Sequence, residues 1–120
     1  MSEITNRRDL AFYLDEVFDL GALLASPRFA AYDRSAIEDI LDTAQAIAEK
    51  EFAPFAAELD ADEPKFVDGA AVCSPKIKKA LGAYAEAGFF AAGFDEEDGG
   101  LQMPEMLRLC LLYTSDAADE

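Results

Sequence analysis

The sequence predicts an all-α fold, a small helical bundle of three to four main helices with a short irregular or hairpin loop near residues 60–74. Three observations predict it. Apolar residues recur at spacings of three and four along residues 10–24, 37–55 and 77–85. Capping residues and stop signals stand at the ends of these runs. One stretch alone, DADEPKFVDGAAVCS, breaks the helical period with short strand-like triplets.

The first helix opens after Asn6, a good N-cap, with Asp9 in the favourable first turn. Leu10, Tyr13, Leu14, Val17, Leu20 and Leu24 then form one apolar stripe. Gly21 is expected to weaken or bend it, and Pro27 marks the exit. In the second helix Ser35 and Glu38 have capping-box spacing, with Asp33 as a competing cap. Its apolar face runs Ile37, Ile40, Leu41, Ala44, Ile47, Ala48, Phe52 and Phe55, and Pro54 should kink or end it. Lys65–Val67 and Ala70–Val72 can pair as a hairpin across Asp68-Gly69. A third helix starts at the Ser74 cap with Pro75 in its first turn, turns Ile77, Leu81, Tyr84 and Ala85 inward, and stops at Gly88. Phe89, Phe90 and Phe94 follow as an aromatic group, then the acidic turn Asp95–Gly100. Pro104 opens a fourth helix with Met106, Leu107 and Leu109.

Composition narrows the function classes. The chain of 120 residues is one domain at most, 52% hydrophobic and 29% charged, which is globular composition. Twenty-five acidic residues face 10 basic ones, a net charge of −15, which disfavours nucleic acid as a partner. There is no histidine, so histidine-based catalysis and His-bearing zinc sites are excluded for these residues. Two cysteines are too few for a disulfide scaffold. The opening MSEITNRRDL carries no apolar signal region, and no stretch nears ~18 consecutive apolar residues. The expectation is a soluble, cytoplasmic protein without a membrane span.

No residue pattern declares a reaction. Neither Asp95 nor Asp60 begins a calcium loop, because glycine and the closing carboxylate fall out of register. No pair of carboxylates is marked for acid–base work. Gly99-Gly100 lacks the spacing of a phosphate-binding loop. Lys76, Lys78 and Lys79 read as surface lysines, and Cys73 as a small hydrophobe at least half buried. Catalytic, cofactor-binding and metal residues are therefore all assigned as none. Phe89 and Phe94 remain as candidates for a substrate-cavity wall or a domain interface.

The order of motifs carries a resemblance. Asp33 to Ala53-Pro54, then Asp60 to Phe66, Asp68-Gly69 and Pro75 to Lys79 are similar in succession to the N-terminal domain of acyl-CoA dehydrogenases. Ala83-Tyr84-Ala85-Glu86-Ala87-Gly88-Phe89-Phe90 resembles that family's AGW turn, with Phe89 where Trp is usual. Gly93 to Gly100 and Gln102-Met103-Pro104 resemble its PEEYGGxGxP stretch. The leading helix, Arg8 to Leu24, resembles the N-terminal extension of a subgroup that includes enzymes similar to 3-methylmercaptopropionyl-CoA dehydrogenase.

The resemblance implies FAD-dependent enzymes of fatty acid metabolism that oxidise acyl-CoA to 2,3-enoyl-CoA. A glutamate takes the α-proton and the flavin takes the β-hydride. It implies a middle and a C-terminal domain, homo-oligomers, and electron-transferring flavoprotein as the usual acceptor. The catalytic glutamate and most FAD contacts would lie beyond Leu109, so this fragment is expected to be inactive and to bind no cofactor alone.

The expected organisation is an N-terminal extension helix over 1–32, the truncated N-terminal domain over 33–109, and a non-native tail over 110–120. The tail's string, CLLYTSDAADE, resembles a translated sequencing adapter. The alternative reading is a stand-alone acidic helical protein-interaction module.

Overall fold

The computed structural model describes residues 4–119, with the side chain of Asp119 excepted. Six α-helices follow the chain among these residues: α1 (Arg7–Phe12), α2 (Leu20–Leu24), α3 (Arg34–Ile47), α4 (Ala56–Ala61), α5 (Pro75–Glu86) and α6 (Glu105–Asp119). Two short strands, β1 (Lys65–Val67) and β2 (Ala70–Val72), lie between α4 and α5 and pair antiparallel. The architecture is therefore mostly helical but not strictly all-α.

The hairpin forms because Asp68 and Gly69 both take left-handed φ, +49° and +81°, as a two-residue turn matched to strand twist demands. Lys65 faces Val72 and Val67 faces Ala70. Every residue of both strands is exposed, Phe66 to 80%.

The N-terminal run is one apolar stripe in sequence but two helices in space. Asn6 caps α1 by accepting from the N–H groups of Arg8 and Asp9. The chain then widens into a π-turn over Tyr13–Val17 and reverses at Asp19, whose φ is +50°. Asp19 caps α2 by accepting from Ala22 N–H. The break thus falls at Asp19 and not at Gly21, because a capping aspartate tolerates the left-handed turn that re-aims the chain. Leu14 and Leu20 reach the core, whereas Tyr13 and Val17 are about half exposed.

Asp33, not Ser35, caps α3 through Ala36 N–H at 2.8 Å. Glu38 is drawn away by two arginines. It accepts from Arg7 Nη2 at 2.7 Å and Arg34 Nη2 at 2.8 Å. Arg7 also reaches Asp42, and Arg34 reaches Asp15, so the network ties α1 and its π-turn to α3. Each exposed pair contributes under ~1 kcal/mol, but shared arginines fix orientation.

Pro54 acts as its chemistry requires. It has no N–H, and its ring would strike the carbonyl of Lys50 in a regular helix. The chain instead opens into a π-turn over Ala48–Phe52 and tightens into a 3-10 turn over Ala53–Phe55 before α4.

In α5 the Ser74 cap and Pro75 stand as the sequence predicts. Its inner face, however, is Ala80 with half-buried Ile77, Tyr84 and Ala87. Leu81 and Ala85 are exposed. Gly88, at φ +80°, ends the helix.

The core joins Ile37, Leu41 and Ala44 of α3 to Leu107 and Leu111 of α6, with Leu14, Leu20, Phe89, Ala92 and Met103 around them. A fully buried leucine contributes about 2 kcal/mol. The whole is a slab of 53 × 35 × 18 Å. Its radius of gyration, 16.4 Å, exceeds the ~14 Å of a compact domain of this length.

Two glycines with opposite surroundings give a paired prediction. A Cβ on Gly100 would meet the Phe94 carbonyl oxygen at 2.1 Å, so Gly100→Ala should cost about 2–4 kcal/mol. A Cβ on Gly82, inside α5, meets nothing within 4 Å, so Gly82→Ala should stabilise by about 0.5–1 kcal/mol. Urea unfolding of both variants checks the signs and sizes.

Candidate functional site

The two candidate residues occupy different environments. Phe89 stands in the 3-10 turn after Gly88 and is buried, 6% exposed, with Tyr84 edge-on at 5.2 Å. Phe90 meets the same tyrosine ring from outside at 5.0 Å and is exposed. Phe94 is 63% exposed at the start of the acidic turn. Gly88 brings these residues together because its left-handed backbone ends α5 and seats Leu101, whose Cδ1 lies 3.4 Å from where a Cβ would be. Phe89 thus belongs to the core, and Phe94, Phe90 and Leu101 present apolar surface beside it.

The acidic turn is a built loop. Gly100 N–H donates to Asp95 C=O, Gln102 N–H to Phe94 C=O, and Met103 N–H to Ala92 C=O at 2.8 Å. Tyr32 donates its hydroxyl to Leu101 C=O, and Arg28 pairs with Asp95. Its carboxylates do not converge on an ion: among the described residues no three His, Cys, Asp or Glu side chains are grouped to hold a metal.

A larger apolar groove of about 580 Å³ runs between the N-terminal segment and α6. Leu10, Tyr13 and Phe18 form one wall, and Met106, Leu109 and Tyr113 the other. Asn6, Asp9 and Glu105 stand at its rim. Sequence reasoning missed this groove because Tyr13 fits the core stripe and Phe18 lies off it. The available signal was an excess of aromatic residues over what a short helix can bury on one face.

The basic patch on α5 is engaged with acidic neighbours. Lys76 pairs with Glu58 and lies 4.6 Å over the Phe55 ring, and Lys79 pairs with Glu51 at 3.2 Å. Cys73 is exposed, contrary to the half-buried expectation, because it follows the solvated hairpin. Among the described residues no helix is long and apolar enough to cross a membrane.

Electrostatic perturbations are structural. Burial, with Glu96 nearby, raises the Tyr32 phenol above its ordinary 10.0. Burial also raises Tyr84, opposed by Arg108 and by a hydrogen bond with Ser115. A hydrogen bond from Arg108 holds Glu105 below its ordinary 4.5. Burial pushes the Cys110 thiol up.

Two predictions follow from these environments. The Tyr32 hydroxyl donates only when protonated, and its folded pKa is raised. Its contribution is therefore complete below pH ~10 and lost as pH rises through the folded value. Urea unfolding from about pH 8 to pH 11 should show a smaller loss of stability in Tyr32→Phe than in the parent chain. Disulfide-reagent labelling at neutral pH should be biphasic, with exposed Cys73 fast and half-buried Cys110 about tenfold slower or more.

Two comparisons match this chain to known proteins. Residues 35–115 match the family model described as acyl-CoA dehydrogenase, N-terminal domain. Over 103 residues the chain is 31% identical to the broad-specificity linear acyl-CoA dehydrogenase FadE5 of Mycobacterium tuberculosis. That alignment covers 84% of this chain and 17% of the relative. The Pro54 kink, the hairpin, the Gly88 turn and the looped acidic segment lie inside the matched range, whereas α1 and α2 precede it. The chain belongs to the acyl-CoA dehydrogenase family and carries that family's N-terminal domain.

Proposed function

We propose that this chain is the N-terminal structural layer of a longer, flavin-dependent acyl-CoA dehydrogenase that converts acyl-CoA to 2,3-enoyl-CoA. The observation that carries the reading is the family match over residues 35–115. The shape supports it. A slab 18 Å thick with Phe90, Phe94, Tyr13, Phe18 and Leu109 exposed resembles a layer made to be covered.

The residues present do not fit FAD. The groove between the N-terminal segment and α6 is mostly apolar, and Asp9 and Glu105 in its lining would repel a pyrophosphate. No step of the oxidation is assigned to this chain. The flavin, the catalytic base and the acyl-CoA contacts are assigned to the remaining domains of the parent enzyme. Electron-transferring flavoprotein as acceptor, a homo-oligomeric state and a cytoplasmic location belong to the same proposal. Its Phe94 face is assigned to contact with those other domains.

We also assign Cys110–Glu120 to an adapter-derived tail, although the family match runs on to residue 115. Leu111, Thr114 and Ala118, three and four residues apart, bury on α6. Such spacing packs against α3 whatever its source.

The test uses the isolated chain beside the full-length enzyme. Gel filtration after incubation with FAD should leave the isolated chain colourless and without dehydrogenase activity, while the full-length enzyme elutes yellow and active. A yellow, active isolated chain would overturn the scaffold reading.

A further inference from the structure

Residues 27–32 form a turn outside the range matched by the family model, and residues 94–103 form a loop inside it. Three contacts join them across some seventy residues of chain. Gln102 Nε2 donates to Arg28 C=O at 2.9 Å, the Arg28 guanidinium pairs with Asp95, and the Tyr32 hydroxyl donates to Leu101 C=O. We infer that the 27–32 turn is a latch that locks the 94–103 loop and thereby sets how Phe94 is presented.

The central residue is Gln102. Its φ is +48°, a conformation that a glutamine holds only where its surroundings determine it. Those surroundings are visible. The side-chain amide is bonded at both ends, with Oε1 accepting from Glu96 N–H at 3.2 Å and Nε2 reaching Arg28. One side chain thus closes the loop on itself and fastens it to the turn. The backbone at Gly100 passes so close to Phe94 that no Cβ fits there. Phe94 and Leu101, the apolar residues of the loop surface, flank the three anchoring points.

The partition of labour is informative. The loop's internal hydrogen bonds come from residues 91–103 alone, but the external fastening comes from the N-terminal extension. The fastening contacts are polar, and Arg28 and Asp95 are half exposed, while the Tyr32 ring packs against the edge of the core cluster. The inference stands on these contacts and not on the flavoenzyme reading.

Amide hydrogen exchange on the full 120-residue chain tests it. Tyr32→Phe removes one donor without changing shape. Gln102→Asn tolerates the left-handed backbone but is one methylene too short to span both partners. In the double variant, exchange at Gly100, Leu101 and Met103 should rise about tenfold or more, with smaller rises in the single variants. Exchange at Leu41 and Ala44 of α3 should stay unchanged. Unchanged loop exchange in the double variant would overturn the latch. So would an equal rise in the loop and α3, which would mean global loosening. If the double variant does not fold, Tyr32→Phe alone decides by the same comparison.

Discussion

The contact between α3 and α6 is the constraint on which the remaining structure depends. Ile37, Leu41 and Ala44 offer one stripe, and Leu107 and Leu111 the facing one, with Ile37, Leu107 and Leu111 wholly removed from water. For α6 to arrive there, the chain leaving α5 must double back within residues 88–104. Gly88, Gly99 and Gly100 make that return sterically feasible, and hydrogen bonds from Leu101 and Met103 to Ala91 and Ala92 hold it. Phe89 and Met103, at the two ends of that return path, join the same buried cluster as Leu107 and Leu111 of α6. The N-terminal helices then close the open side through Leu14 and Leu20, with Arg7 and Arg34 fixing their angle to α3.

Local chemistry made much of this legible. Asn6, Asp33 and Ser74 cap as their side chains allow, Asp68-Gly69 turns the hairpin, and Gly88 ends α5. These outcomes depend on residues within four positions of one another. What was not legible depends on neighbours distant in sequence. Phe89 and Phe94 are the same residue type five positions apart, yet one joins the core cluster and the other is surface, a difference set by residues distant in the chain. Ala80 rather than Leu81 faces inward on α5, a choice that the packing of neighbouring elements makes and the helix's own sequence does not. Glu38 leaves the capping box because Arg7, thirty-one residues earlier, competes for it. Gln102 stood out only as part of the Gln102-Met103-Pro104 motif, and its fastening role was hidden because it rests on a backbone carbonyl contributed by Arg28.

The same geometry explains why the candidate site carries no evident chemistry. Most of the prominent polar side chains are committed to caps, ion pairs and loop closure. The apolar residues left over are aromatic and lie on two surfaces, one around Phe94 and one along the groove between Tyr13 and Leu109. A thin acidic slab with such surfaces fits the proposed role of packing and positioning. That is consistent with a domain whose family relative is about six times longer than the aligned segment.

The most direct test of this account is the source gene beyond the codon for Leu109. The account predicts that the genomic frame departs from CLLYTSDAADE and runs on through a strand-rich segment and a second helical domain. A genomic frame that encodes CLLYTSDAADE and then stops would contradict it and make a self-contained acidic module the better reading.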